Sequence, residues 1–193
     1  LGGSGEIGMN MNLFAYGKPG EHKWIMVDIG VTFADDTLPG IDLIYPDPGF
    51  IVDKKEDLLG IILTHAHEDH IGAIAHLWPQ LKCKIFATPF TAVLIKEKLK
   101  EKNIDATNYL KIVQLNGTVD LDPFKIEYIT LTHSILEPNG LRIETPAGVI
   151  LHTGDWKIDP EPLIGEKINS DRLKEIGKEG VLAMVCDSTN VFS

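Results

Sequence analysis

Short apolar runs, separated by single glycines, prolines or charged residues, follow one another along most of this chain. Many of these runs are rich in β-branched and aromatic residues, which is typical of β-strands. Nine strands are therefore predicted, at residues 11–16, 23–29, 60–64, 84–87, 111–115, 124–131, 141–145, 149–153 and 181–186. Residues 145–148 read Thr-Pro-Ala-Gly and predict a hairpin turn between two of these strands.

Apolar residues three or four positions apart predict helices in other stretches of the chain. These stretches are residues 70–81, residues 91–102 and a segment that Ser170 is expected to cap. Antiparallel strands come first and helices arrive in the middle of the chain. This order favours an α+β fold, in which helices cover sheets, over a doubly wound parallel sheet.

The amino-acid composition limits which kinds of partner this protein can have. The chain has 193 residues, of which 44% are hydrophobic, and no apolar run approaches the roughly 20 residues of a membrane span, so we expect no membrane partner. The net charge of −10 opposes non-specific binding of nucleic acid, so a bound polyanion needs a local site. Two cysteines, Cys83 and Cys186, are too few for a disulfide framework, which predicts no disulfide partner and a cytoplasmic location.

Residues 3–8 match the G-x-G-x-x-G pattern of dinucleotide-binding loops. In such proteins this pattern opens a helix after a strand. Here the residues that follow it alternate between apolar and polar types and predict a strand. We therefore interpret residues 3–8 as a glycine-rich turn rather than a dinucleotide site.

The most informative segment is residues 65–70, which read His-Ala-His-Glu-Asp-His where a predicted strand passes into a predicted helix. Neutral imidazoles and carboxylates are good ligands for zinc and similar divalent ions. Three of the seven histidines of the chain fall in this turn, which disfavours a chance polar loop. The segment therefore predicts a metal site.

Other candidate residues also follow predicted strands. His133 and Asp155 each come just after a strand, and the histidine-rich turn makes both of them candidate ligands. For His152 and His76, a structural role is the preferred interpretation. Asp28 follows an apolar run, where burial is costly without partners. It is either a hydrogen-bond acceptor that fixes the histidine-rich turn or a solvated strand end.

Together these residues resemble the metallo-β-lactamase superfamily. Further motifs narrow the resemblance to its bacterial β-CASP branch, the ribonuclease J family. They are residues 2–10 (GGSGEIGMN), 132–135 (THSI), 152–157 (HTGDWK) and 186–190 (CDSTN). The resemblance implies a zinc-dependent ribonuclease with two ions in its complete site, manganese being the alternative metal. The ligands it implies are His65, His67 and His133 for one ion, Asp69 and His70 for the other, and a bridging Asp155.

The resemblance also implies an αββα sandwich of which residues 1–193 form the N-terminal part of a metallo-β-lactamase domain. We expect a β-CASP insertion and a further histidine ligand after residue 193, and therefore little activity from this portion alone. Asp69 is the expected acid or base. RNA is the implied substrate, cut from its 5′ end or internally, and a homo-oligomer would form through segments outside this chain. The alternatives are a thioester or lactone hydrolase of the same fold and a non-catalytic subunit of an RNA-processing complex.

Overall fold

The computed structural model describes residues 1–189, and the chain divides into two compact units, Leu1–Ile112 and Val113–Ser193. The strands of the first unit are β1 (Asn12–Tyr16), β2 (Lys23–Val27), β3 (Thr32–Phe33), β4 (Leu43–Ile44), β5 (Leu58–Ile62), β6 (Ile85–Ala87) and β7 (Leu110–Ile112). Its helices are α1 (Gly49–Val52), α2 (Glu68–Ile71), α3 (Ile74–Leu81) and α4 (Pro89–Glu101), with a 3-10 turn at Lys55–Asp57.

The main sheet of the first unit has the strand order β1-β2-β5-β6-β7. Strand β1 is antiparallel to β2, whereas each of the other neighbouring pairs is parallel. Val27 of β2 lies opposite Ile62 of β5, and both side chains are fully buried. Because these strands are parallel and in register, the residues that follow them, Asp28 on one side and Thr64 on the other, leave the sheet side by side.

Helices α3 and α4 bury apolar stripes. In α3 the buried residues Ile74, Leu77 and Leu81 recur at helical spacing, and the helix ends at Lys82, which has a left-handed φ of 48°. The helix predicted at residues 70–81 is interrupted between α2 and α3. The interruption has a tertiary cause, because the Ala73 amide donates to the Ile29 carbonyl (3.0 Å), outside its own helix.

In its described part, residues 113–189, the second unit contains one sheet and one helix. Its elements are β8 (Thr118–Leu121), β9 (Phe124–Thr130), β10 (Asn139–Thr145), β11 (Gly148–His152), α5 (Ser170–Glu179) and β12 (Ala183–Val185). Strands β8 to β11 form an antiparallel meander, and β12 pairs with β11 in parallel. Thr145 lies opposite Gly148, which confirms the predicted hairpin.

Helix α5 covers one face of the second sheet. Its Ile176 is 1% exposed and packs in a cluster with Ile129 and Leu131. The prediction that Ser170 caps this helix is wrong. Asn169 is the cap, and its side chain accepts a hydrogen bond from the Arg172 amide (3.2 Å). The Asn169 amide is itself fixed by the Thr130 carbonyl (3.0 Å), so the sheet sets where the helix begins.

The nine predicted strands are present, with ends shifted by up to three residues. Strands β3, β4 and β8 were not predicted. The first two are only two residues long, and β8 buries only Val119 among four residues. The parallel pairs of the first unit also differ from the antiparallel arrangement expected there. Each connection, through α1, through α2–α3 or through α4, returns the chain to the same end of the sheet.

Both cysteines are free, and burial raises the pKa of the Cys83 thiol to about 12. Asn190, the last residue of the fourth motif, lies outside the described residues. Within the described part of the chain, no helix is both long enough and apolar enough to cross a membrane.

Replacing Ile176 with alanine tests the packing of α5. Truncation removes buried methyl groups and leaves a cavity between α5 and its sheet, so we expect the free energy of unfolding to fall by about 2–5 kcal/mol. Urea unfolding followed by circular dichroism measures this change. The matched control is Leu163→Ala, because Leu163 is fully exposed and its truncation should change stability little. Equal effects of the two substitutions would contradict this packing.

Candidate metal centre

The histidine-rich turn begins where β5 leaves the first sheet and ends in the short helix α2. Residues 63–67 form no helix or strand, and His67, with φ −69° and ψ 153°, is the last extended residue before α2. His65 is fully buried and His70 is 2% exposed, whereas His67 and Asp69 are half-buried. The turn therefore holds two imidazoles in the interior of the first unit and two ligand groups nearer its surface.

The imidazole rings of this turn lie against one another. His65 Nε2 is 3.1 Å from His67 Nδ1, and the ring centres of His65 and His70 are 4.0 Å apart. Two nitrogens bound to one tetrahedral zinc ion, at ~2.0–2.1 Å each, lie about 3.3 Å apart. The His65–His67 nitrogen pair therefore has nearly the spacing that a shared zinc ion requires.

Asp28 fixes both His70 and the start of the turn through hydrogen bonds. Its side chain is fully buried, and its Oδ2 lies 2.7 Å from His70 Nδ1. Its Oδ1 accepts a hydrogen bond from the Thr64 amide (2.8 Å), and the Thr64 hydroxyl donates to Oδ2 (2.9 Å). Since a carboxylate can only accept, His70 Nδ1 donates, and Nε2 is the ring nitrogen left to bind a metal. Asp28 is thus the acceptor that fixes the turn, and the alternative of a solvated strand end is wrong.

Asp69 extends the donor set next to His70. Its Oδ2 lies 3.4 Å from His70 Nε2. An aspartate carboxyl is ionised at neutral pH, as a metal ligand or proton acceptor must be.

Backbone hydrogen bonds tie helix α2 to the segment after β2. The Ile29 amide donates to the His70 carbonyl (2.8 Å), and the Val31 amide donates to the Glu68 carbonyl (3.1 Å). Gly30 lies so close to α2 that a Cβ atom built on it would fall 1.6 Å from the Asp69 carbonyl oxygen. Only glycine allows this approach, so Gly30 sets the position of the Asp69 backbone.

The second unit brings His133 and Asp155 together. His133 Nε2 is 3.8 Å from Asp155 Oδ2, and both side chains are half-buried. The segments that carry them are joined because the Lys157 amide donates to the Thr132 carbonyl (2.8 Å). His152 Nδ1 accepts a hydrogen bond from the Gly154 amide (3.0 Å), which shapes the turn before Asp155 and agrees with a structural role for His152.

Each unit therefore assembles part of the predicted ligand set. His65, His67, Asp69 and His70 are together in the first unit, and His133 and Asp155 are together in the second. His76 faces elsewhere and stacks on Tyr45, with ring centres 5.4 Å apart. Convergence of all six residues on one site stays a prediction.

Sequence reasoning missed three residues that shape this centre. They are Asn10, Gly30 and Thr64. Asn10 closes a glycine-rich turn, and its position at the end of that motif was a usable signal. Gly30 and Thr64 carry no local signal, because their importance comes from contacts with residues about 40 positions away.

The sequence model described as the metallo-beta-lactamase superfamily matches residues 11–176, which include most of both units. This chain belongs to the metallo-β-lactamase superfamily. The α+β class and the metallo-β-lactamase fold predicted from the sequence are thereby confirmed.

Curated relatives confirm the narrower resemblance. The chain is similar to ribonuclease J of Sinorhizobium meliloti, at 48% identity over 192 residues that cover 100% of this chain and 34% of the relative. It is 40% identical over 191 residues to ribonuclease J of Helicobacter pylori, covering 98% of this chain and 27% of that protein. Ribonuclease J 1 of Streptococcus pyogenes is 40% identical, with coverage of 98% and 33%. The chain thus spans between about a quarter and a third of the length of these relatives.

Solved structures share the fold at low sequence identity. A protein of unknown function from Enterococcus faecalis V583 matches 79% of this chain and 41% of its own, with a TM-score of 0.56 and 18% identity. The metallo-beta-lactamase fold protein YhfI from Bacillus subtilis matches 79% of this chain and 58% of its own, with a TM-score of 0.53 and 18% identity. Both structures share the fold of this chain.

Replacing Asp28 with asparagine should weaken metal binding. The amide keeps the shape but lacks the charge that fixes the donor nitrogen of His70, and loss of such an outer partner typically costs about 10–100-fold in metal affinity. Zinc titration by calorimetry measures the effect. Asp57→Asn is the matched control, because Asp57 pairs with Lys23 at the surface (2.6 Å). An unchanged affinity in Asp28→Asn would contradict the assigned role.

Replacing Gly30 with alanine should displace helix α2. The added Cβ cannot be accommodated at 1.6 Å from a backbone oxygen, so we expect a loss of about 1–3 kcal/mol or more in unfolding free energy, together with weaker zinc binding. Gly177→Ala is the control, because Gly177 lies in α5 with no heavy atom within 4 Å of an added Cβ. Alanine should stabilise that helix by up to about 1 kcal/mol. A Gly30→Ala protein as stable as the wild type would refute the close approach.

Proposed function

We propose that this chain carries the metal centre of a two-metal phosphodiesterase that cleaves RNA. The observation that carries the proposal is His70, whose Nδ1 is bound to the buried Asp28 while Nε2 lies 3.4 Å from the Asp69 carboxylate. Beside it, His65 and His67 hold two ring nitrogens 3.1 Å apart. An imidazole and a carboxylate held in this way by the first unit are prepared to bind an ion.

The chemistry of the donor set fits zinc. Imidazole nitrogens with a few carboxylate oxygens suit zinc, and manganese is the alternative for the half of the site that is richer in oxygen donors. We assign His65 and His67, with His133, to one ion. Asp69 and His70 would hold the other, and Asp155 would be the ligand that both ions share. The similarity to ribonuclease J proteins supports this assignment, and the meeting of residues from both units is part of the proposal.

Bound divalent ions supply a water activated near neutral pH and positive charge for the phosphate oxygens. The chain itself supplies the proton acceptor. An aspartate carboxyl is ionised at neutral pH, and the Asp69 side chain is only half-buried. We propose that Asp69 orients the nucleophile and accepts its proton.

RNA is the substrate that the relatives favour, since the similar curated proteins are named ribonuclease J. The chain has a net charge of −10, so its general field does not attract a polyanion. A negatively charged chain can still bind RNA if divalent cations, bound at one local site, contact the phosphate backbone. We place the activity in the cytoplasm, where RNA is processed.

Asp69→Asn in the native protein tests the proposal. The amide keeps the size of the side chain but cannot accept a proton, so RNA cleavage should fall by at least about a hundredfold while the circular dichroism spectrum is retained. Single-turnover cleavage of a labelled RNA measures the rate. The matched control is the neighbouring Glu68→Gln, because the Glu68 carboxylate pairs with Lys98 (2.5 Å) away from the histidines.

The same assay separates the alternatives. Cleavage of a thioester or lactone by the wild-type protein, without cleavage of RNA, would favour a small-molecule hydrolase. Zinc binding without turnover of either substrate would favour a non-catalytic subunit. Turnover of RNA by Asp69→Asn within about tenfold of the wild type, or roughly 1.4 kcal/mol, would remove Asp69 from the mechanism.

A further inference from the structure

The glycine-rich segment, residues 2–10, has no role in the function proposed above. Its backbone reverses direction through four residues with positive φ, which are Gly3, Gly5, Gly8 and Met9. It is anchored at both ends, because Gly2 bridges to Met11 and the Met9 amide donates to the Val31 carbonyl (2.9 Å). The segment thus follows a fixed path that ends at the half-buried Asn10.

Asn10 makes four hydrogen-bonding contacts around the metal motif of the first unit. Its backbone amide and its Nδ2 both donate to the Asp69 carbonyl, at 2.9 and 3.1 Å. Its own carbonyl accepts from the Gly30 amide (2.9 Å). Its Nδ2 also lies 3.2 Å from His70 Nε2. One side chain therefore touches both adjacent members of the predicted ligand pair.

The direction of the last hydrogen bond follows from Asp28. Because the Asp28 carboxylate lies at His70 Nδ1, the ring proton sits on Nδ1, and Nε2 offers a lone pair. The Asn10 amide can only donate through Nδ2, so it satisfies that lone pair. If the ring proton were on Nε2 instead, the Nε2 N–H of His70 would face the Nδ2 N–H of Asn10, and no hydrogen bond could form.

We infer that Asn10 is a positioning residue for the Asp69–His70 half of the metal site, and that the glycine-rich segment serves to deliver it. This inference rests on the proposed function, in which Asp69 and His70 bind one ion. Without metal, the Asn10 amide keeps His70 Nε2 turned toward Asp69. When a metal occupies Nε2, the amide retains its hydrogen bond to the Asp69 carbonyl, so the ion replaces one contact without disturbing the backbone. Binding therefore needs little rearrangement.

Zinc titration of the native protein tests the inference without RNA. Asn10→Leu keeps nearly the volume of the side chain and removes its donors. We expect one of the two zinc-binding steps to weaken by about tenfold or more, the size typical of outer partners of metal ligands, while the other step keeps its affinity. Asn108→Ala is the matched control, because Asn108 is exposed in the same unit and should leave both steps unchanged. Cobalt substitution adds a spectroscopic readout, since only one of the two cobalt environments should change.

These measurements separate a failure of the role inferred for Asn10 from a failure of the proposed function. A wild-type protein that binds no zinc would overturn the proposed function. Wild-type binding with equal affinities in Asn10→Leu, or with both steps weakened equally, would overturn only the role of Asn10. Should Asn10→Leu fail to fold, nitrogen NMR of the zinc-free wild type decides the question. A proton on Nδ1 of His70 supports the inference, and a proton on Nε2 overturns it.

Discussion

A carboxylate with no exposed surface, Asp28, is the constraint on which the rest of the centre depends. Burying such a group without partners costs several kcal/mol, so the fold must surround it with donors. It does so with the Thr64 amide and hydroxyl and with His70 Nδ1. The parallel register that sets Val27 opposite Ile62 brings these donors to Asp28. The requirement to satisfy one charge therefore fixes the tautomer and direction of the His70 ring.

The short helix α2, which carries Asp69 and His70, is not stable by itself. A helix of four residues is unstable alone, because nucleation costs more than so few hydrogen bonds return. Its position comes from backbone hydrogen bonds to the segment after β2 and from the close approach at Gly30. Asn10 adds contacts from a third stretch of chain. Three segments distant in sequence thus position the two neighbouring candidate ligands, Asp69 and His70. A metal site requires preorganisation of this kind.

The features of this protein that can be predicted from its sequence are those with a local signal. Three imidazoles within six residues indicate metal chemistry in any fold, and alternating or continuous apolar runs locate the strands. The break between α2 and α3 was not predictable, because the Ala73 amide leaves its helix for the Ile29 carbonyl. The choice of Asn169 over Ser170 as helix cap depends on a hydrogen bond to Thr130, since both residue types are good caps. The sequence leaves Asp28 as either a hydrogen-bond acceptor or a solvated strand end. Only its contacts with Thr64 and His70 decide between the two.

We have proposed that the histidine-rich turn, together with His133 and Asp155, holds two divalent ions. Anomalous diffraction at the zinc edge from crystals of the zinc-loaded protein measures this most directly. We predict two peaks about 3.5–4 Å apart, one bonded to the ring nitrogens of His65 and His67 and the other to His70 Nε2 and Asp69. A single peak, or any ion bound to Asp28 in place of His70, would contradict the account.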